Sequence, residues 1–252
     1  MHILLSNDDG YDSEGLRCLE EALSPMATVW TVAPDQGQSA MGRAITLQRP
    51  LKVTQVAERR YKVNGTPSDC VNLAVNGVLG VRPDLVISGI NHGANMGDDI
   101  SYSGTAAAAF EAAILGIPAI AVSLATKADF HFMPAARFAA ALARSVLAKG
   151  LPLYVFLNVN VPDTKGADIC DWVVTRQGRS KYEKTVTATT CPRDMTYYWL
   201  GGKGVAFEDI EGSDANAVRR GLISITPIRT DLTDEASLDY VRDLGIGGCR
   251  IV

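Results

Sequence analysis

The chain has 252 residues, 47 % of them apolar and 21 % charged. That is enough apolar material for one large buried core and too much for a disordered chain. With 24 basic against 28 acidic residues the net charge is −4, which argues against a protein that coats nucleic acid and requires any phosphate site to be local.

The N-terminus reads Met1-His2-Ile3-Leu4-Leu5-Ser6-Asn7-Asp8-Asp9, without the basic n-region of a signal peptide. Residues 2–6 and 28–33 read as short apolar strands, as do 84–88 and 118–123, and helical patterns at 14–23, 67–77 and 104–115 lie between them. Continuously apolar strands separated by helices predict a parallel sheet covered on both faces. A further helix at 133–149 leads to a strand at 153–159. The expected fold is α/β, a doubly wound, mostly parallel, Rossmann-like sheet with ligands at the carboxyl ends of its strands. Residues 46–64 carry two β-like runs around Glu58-Arg59-Arg60, and 170–208 mix Thr, Tyr, Val and Trp with little helical period.

The chain closes with a strand at 222–226 and a helix at 234–244. We therefore expect one domain over 1–252: an α/β core (1–165), a β-hairpin-rich excursion (166–210) and a C-terminal strand and helix (211–252). The longest apolar stretches, near 112–125 and 134–150, are interrupted before the roughly 20 residues a membrane span needs. Cysteines 18, 70, 170, 191 and 249 are scattered, without a C-x-x-C pair. That disfavours a disulfide scaffold and leads to the expectation of a reducing cytoplasm.

Chemistry concentrates in the loops after the strands. Asn7-Asp8-Asp9-Gly10 follows the first strand directly. Two carboxylates converge there only if the chain turns, which Gly10 permits, and they repel unless a cation or proton intervenes. The alternative is a solvated Asx-turn before the helix at 14–23. The second loop, Ala33 to Gly42, contains Ser39; Gly42 falls one residue late for G-x-S-x-G, so Ser39 reads as an ordinary loop hydroxyl and not as a nucleophile.

The third loop, Ser88 to Asp99, holds three glycines, Asn91, Asn95 and His92. Asparagine offers a metal an uncharged oxygen, whereas His92 alone reads as structural or peripheral. Ser103-Gly104-Thr105 opens an alanine-rich helix, and small residues there make either an anion site or a plain N-cap. All these donors are oxygens, which select a hard ion (Mg²⁺, Mn²⁺ or Ca²⁺) over zinc or copper. A cation beside a helix N-terminus equips a protein for metal-assisted phosphoryl chemistry.

Together these loops resemble the SurE family of stationary-phase survival proteins, which are metal-dependent 5′-nucleotidases. The matching residues are Asn7-Asp8-Asp9-Gly10, Val32-Ala33-Pro34-Asp35 with Ser39, Gly65-Thr66-Pro67-Ser68-Asp69-Cys70-Val71, Ser88-Gly89-Ile90-Asn91 with Gly93 and Asn95, and Tyr102-Ser103-Gly104-Thr105. The likeness continues through Tyr198-Trp199 and Asp231-Leu232-Thr233. It implies that Asp8, Asp9, Ser39 and Asn91 bind one divalent cation per chain. It also implies that Asn95, Ser103, Gly104 and Thr105 surround the phosphate, and that Gly65-Thr66-Pro67 shapes the adjoining loop. One departure is that Arg229 stands where some members carry a histidine, so no acid role falls there. The resemblance further implies a homodimer or homotetramer with exchanged C-terminal segments.

The expected function is release of phosphate from nucleoside 5′-monophosphates, with 3′-monophosphates and short polyphosphate as further candidates. Asp8 would orient or deprotonate the attacking water and Asp9 chiefly hold the ion, or the reverse. Asn95 and the 103–105 helix end would stabilise charge on the phosphoryl oxygens. Two alternatives stand beside this. A dinucleotide-binding domain would want glycines where Asp8 and Asp9 stand, and a non-catalytic nucleotide-binding regulator would bind without releasing phosphate.

Overall fold

A computed structural model describes residues 1–126, 128–165, 167, 171–182, 186–200 and 205–244. In chain order the elements are β1 (His2–Ser6), α1 (Glu14–Leu23), β2 (Thr28–Pro34), β3 (Val53–Ala57), β4 (Arg60–Val63), α2 (Pro67–Leu73), β5 (Leu85–His92) and α3 (Gly104–Ile114). Then come β6 (Ala119–Ala125), α4 (Phe132–Lys149), β7 (Val155–Pro162), β8 (Trp172–Val174), β9 (Ser180–Tyr182), β10 (Val186–Thr190), β11 (Thr196–Leu200) and β12 (Val205–Phe207). The last are α5 (Asp214–Arg219), β13 (Ile223–Arg229) and α6 (Leu238–Arg242).

Nine strands form one sheet in the order β3-β4-β2-β1-β5-β6-β7-β13-β8. The pairings from β4 to β7 are parallel; β3 and β13 run antiparallel to β4 and β7. This is the doubly wound, mostly parallel α/β fold that the alternating periodicities predict. Alternation along each strand divides the core. Ile3, Leu5, Leu85 and Ile87 pack under α1 and α4, while Leu4, Val86 and Phe156 pack under α2 and α3. The chain moves from β1 to β2 on one side and returns to β5 on the other. The loops after β1 and β5 therefore leave the sheet at a topological switch point, where such folds open a crevice.

Local chemistry sets the helix starts. Ser13 caps α1 by accepting the Leu16 N–H. Thr66 and Asp69 form a reciprocal capping box at α2 with Pro67 as its first residue, so Gly65-Thr66-Pro67 serves to launch that helix. Beyond Leu73, α2 widens into a π-helical turn over Ala74–Val78.

Five sequence expectations need correction. The strand at 84–88 runs on to His92, because after a break in register at Gly89-Ile90 the chain pairs again with β6, Asn91 opposite Ser123 and His92 opposite Leu124. Part of the expected third loop is thus strand. The strand expected at 153–159 reaches Pro162 and includes Asn160. In the segment read as an excursion, β8 lies parallel to β13 in the main sheet, while β9 pairs with β12 and β10 with β11 apart from it. The sequence does not predict α5, since six residues are too few to show a helical period; its local signals are the N-cap Ser213, Asp214 in the first turn and Arg219 in the last. The expected helix at 234–244 forms a 3₁₀ turn, Glu235–Ser237, followed by α6, and 245–252 lie outside the described residues.

Candidate active site

The chain turns immediately after β1. Asn7, fully buried, donates to the Gly10 carbonyl at 2.9 Å and to Ser13 Oγ at 2.6 Å, and accepts the Gly10 N–H at 3.2 Å. Gly10 takes a φ of +103°, which an L side chain resists. This turn brings both neighbouring carboxylates to the mouth of the crevice. The Gln38 N–H donates to the Asp8 carbonyl at 2.7 Å and ties the second loop to the first.

A cleft of about 420 Å³ opens there, and Asp8, Asp9, Ser39, Asn91, Asn95 and Ser103 all line it. Six of the eight expected site residues are thereby brought together. The other two stand behind Asp8. Gly104 presses directly on it, since a Cβ at that position would fall 2.6 Å from the Asp8 Cβ. Thr105, fully buried, donates its hydroxyl to the Asp8 carboxylate.

Asp8 is 5 % exposed. Burial pushes its carboxyl up from 3.8 to about 6; the Thr105 hydroxyl opposes the shift and the charge of Asp9 adds to it. The carboxyl is therefore poised near neutrality, in the range of a group that takes or gives a proton.

Asn95 is held from every side. Its N–H donates to Asn160 Oδ1 at 2.8 Å, and its carbonyl accepts from the side-chain amides of Asn158 and Asn160, both at 2.9 Å. Its own Nδ2 donates to Ser123 Oγ at 2.8 Å. Asn158 and Asn160 share one face of β7, two residues apart. A pair of amides in an otherwise apolar strand was the signal in the sequence, and it was missed. Ser103 Oγ caps α3 by accepting the Ala106 N–H at 3.0 Å, so the N-cap and the cleft-lining roles coexist in one residue.

The opposite wall comes from an unexpected quarter. Tyr102, Asp99 and Tyr182 line the cleft there. Tyr182, from β9, donates to the Asp99 carboxylate, and burial with that bond pushes the phenol up to about 12. The Ser180 N–H meets Asp98 at 2.9 Å, and buried Asp214 of α5 accepts the N–H groups of Gly97 (2.9 Å) and Gly178 (3.0 Å). The segment read as an excursion thus returns to wall the site.

The donor set suits a hard divalent cation. It consists of oxygens alone, and Asn91, whose Nδ2 is turned to the Gly93 carbonyl at 2.9 Å, has Oδ1 to offer. Among the described residues no group of three or more His, Cys, Asp or Glu converges; the set that the resemblance implies, Asp8 and Asp9 with Ser39 and Asn91, would offer such an ion two carboxylates, a hydroxyl and an amide oxygen.

Residues 3–184 match the family model described as Survival protein SurE. A protein of Geobacter sulfurreducens named 5′-nucleotidase SurE is 49 % identical over 251 residues, covering 99 % of this chain and 96 % of its own. One of Myxococcus xanthus with the same name is 53 % identical over 238 residues, covering 94 % and 90 %. The crystal structure of a SurE protein from Aquifex aeolicus superposes with a TM-score of 0.83 at 40 % identity, covering 96 % of this chain and all of that one. Family model, sequence identity and fold thus agree, and the chain belongs to the SurE family.

Proposed function

We propose that this chain is a divalent-metal-dependent 5′-nucleotidase that hydrolyses nucleoside monophosphates without a covalent protein intermediate. One observation carries the reading: a buried carboxyl shifted to about 6 lies beside a second carboxylate and under the N-terminus of α3, in an open cleft at the switch point of the sheet. A cation held by Asp8, Asp9, Ser39 and Asn91 would polarise a phosphate oxygen and acidify water at neutral pH. The names of the relatives support the substrate class.

The chain's own residues divide the remaining work. Asp8, held by Thr105, accepts the proton of the attacking water. The phosphoryl oxygens face the clamped Asn95 amide and the start of α3 at Ser103 and Gly104, where developing negative charge meets the positive end of the helix. Thr105 acts through Asp8, because its hydroxyl is already committed there. The test is phosphate release over nucleoside 5′- and 3′-monophosphates and short polyphosphate, each with Mg²⁺, Mn²⁺, Ca²⁺ or chelator. Turnover of 5′-monophosphates that chelator abolishes is expected; full turnover under chelation, or saturable binding without release, overturns the proposal.

We also propose a homo-oligomer with exchanged C-terminal segments. Leu238, Tyr240, Val241 and Leu244 around α6 are all exposed, as are Tyr197, Tyr198, Trp199 and Leu200 on β11. A two-stranded hairpin is marginal on its own in water, and a second copy would cover both surfaces. No helix among the described residues is long and apolar enough to cross a membrane, and Cys18, Cys70 and Cys191 are free thiols, in keeping with a reducing compartment such as the cytoplasm.

A further inference from the structure

His92 reads in the sequence as structural or peripheral, yet it stands in the wall of the cleft at the end of β5. Its Nδ1 lies 3.0 Å from Asp9 Oδ2. Its main-chain N–H donates to the same oxygen at 3.3 Å. A carboxylate only accepts, so an imidazole nitrogen at that distance carries its proton.

The ring has little freedom to turn away. Phe130 and Phe132 each meet it edge-on with centroids 4.8 Å distant, and they stack on each other at 5.6 Å with planes 3° apart. Both approaches to Asp9 fall on Oδ2, and Oδ1 makes no hydrogen bond among the described residues. The two carboxylates of the site therefore have separate holders, Thr105 for Asp8 and His92 for Asp9.

We propose that His92 is a positioning residue which fixes Asp9 through Oδ2 and so presents Oδ1 to a divalent cation. This rests on the metal-dependent reading above. Groups that orient a metal ligand from behind it commonly change metal affinity 10–100-fold when removed, because the ligand must then be ordered at the moment of binding. His92 would act in that way without touching substrate.

The experiment is calorimetric titration of Mn²⁺ into chelator-treated full-length protein, comparing wild type with Asp9→Ala, His92→Leu, His92→Asn and His92→Gln. Wild type should bind one Mn²⁺ per chain and Asp9→Ala none. His92→Leu should bind about 10–100-fold more weakly. His92→Asn places an amide nitrogen at the branch that Nδ1 occupies and should stay within about threefold of wild type. His92→Gln sets its amide one carbon further out and should be weakened like His92→Leu. If His92→Leu does not fold, the Asn and Gln pair decides alone.

Wild-type affinity in all three His92 variants overturns the inference and leaves the metal reading standing. So does equal weakening of Asn and Leu, which would make the ring's packing alone responsible. Failure of wild type to bind, or wild-type binding by Asp9→Ala, overturns both.

Discussion

The two walls of the cleft are built differently. On the core side, Asp8 and Asn95 are almost fully buried and take their hydrogen bonds from α3, β6 and β7. On the far side, Tyr182 belongs to a short strand pair outside the main sheet and is about half-exposed. Buried polar groups must be paired, and losing a partner exacts the full desolvation cost. Half-exposed ones exchange one partner for water. The core wall should therefore be intolerant of change and the outer wall permissive at its exposed residues, with buried Asp214 the exception.

The strongest way to break this comparison is at Asp8. Asp8→Asn keeps shape and removes the proton acceptor, and kcat should fall by about 10²–10⁴-fold. Nucleoside-monophosphate turnover across a Mn²⁺ titration checks it. Recovery at saturating Mn²⁺ would mean that Asp8 only holds the ion.

The same variant tests the cost of burying that carboxyl. Asp8 titrates at 3.8 when unfolded and about 6 when folded, so without metal the burial penalty is absent below pH 3.8, grows between 3.8 and 6, and is complete at pH 7. Chelated Asp8→Asn should then be the more stable protein at pH 7, by up to about 3 kcal/mol. The difference should vanish near pH 3.5. Urea unfolding at both pH values measures it, and a less stable variant at pH 7 would refute it.

Thr105→Val should reduce transition-state stabilisation by about 1–3 kcal/mol in kcat/KM. Its signature is a pH profile, since the hydroxyl favours the charged carboxylate and its loss should move the acid limb to higher pH. An unmoved limb would separate Thr105 from Asp8. On the outer wall, Tyr182→Phe removes a hydrogen bond from a half-exposed phenol and should cost at most about 1 kcal/mol in stability. Denaturant unfolding would show whether this wall is firmer than its exposure suggests.

The same contrast governs what could be read from the sequence. The core strands were legible as short continuous apolar runs, since both faces of the sheet are covered, and α1 to α4 as the helical patterns between them. The loops that carry Asp8, Asp9, Ser39, Asn91, Asn95 and Ser103 were legible because they follow parallel strands, whereas the roles of these residues were implied only by the family resemblance. What stayed hidden depended on distant pairing. β5 continues past Gly89 only because β6 offers Ser123 and Leu124 as partners. The part of Asp214 in the outer wall rests on contacts 117 and 36 residues away along the chain. Thr105 and Gly104 were read as facing a phosphate because a helix N-terminus is a general anion site. Nothing local said that the anion already there is the protein's own carboxylate.

Position 104 shows helix propensity and packing drawing apart. Alanine would favour a helix over glycine by up to about 1 kcal/mol, so propensity alone would place it at the head of α3. The added methyl would meet the Asp8 Cβ at 2.6 Å and drive either the carboxylate or the helix out of place, and overpacking of that kind costs about 1–3 kcal/mol. Gly104 is therefore the residue that both the fold and the site require, against the preference of the isolated helix.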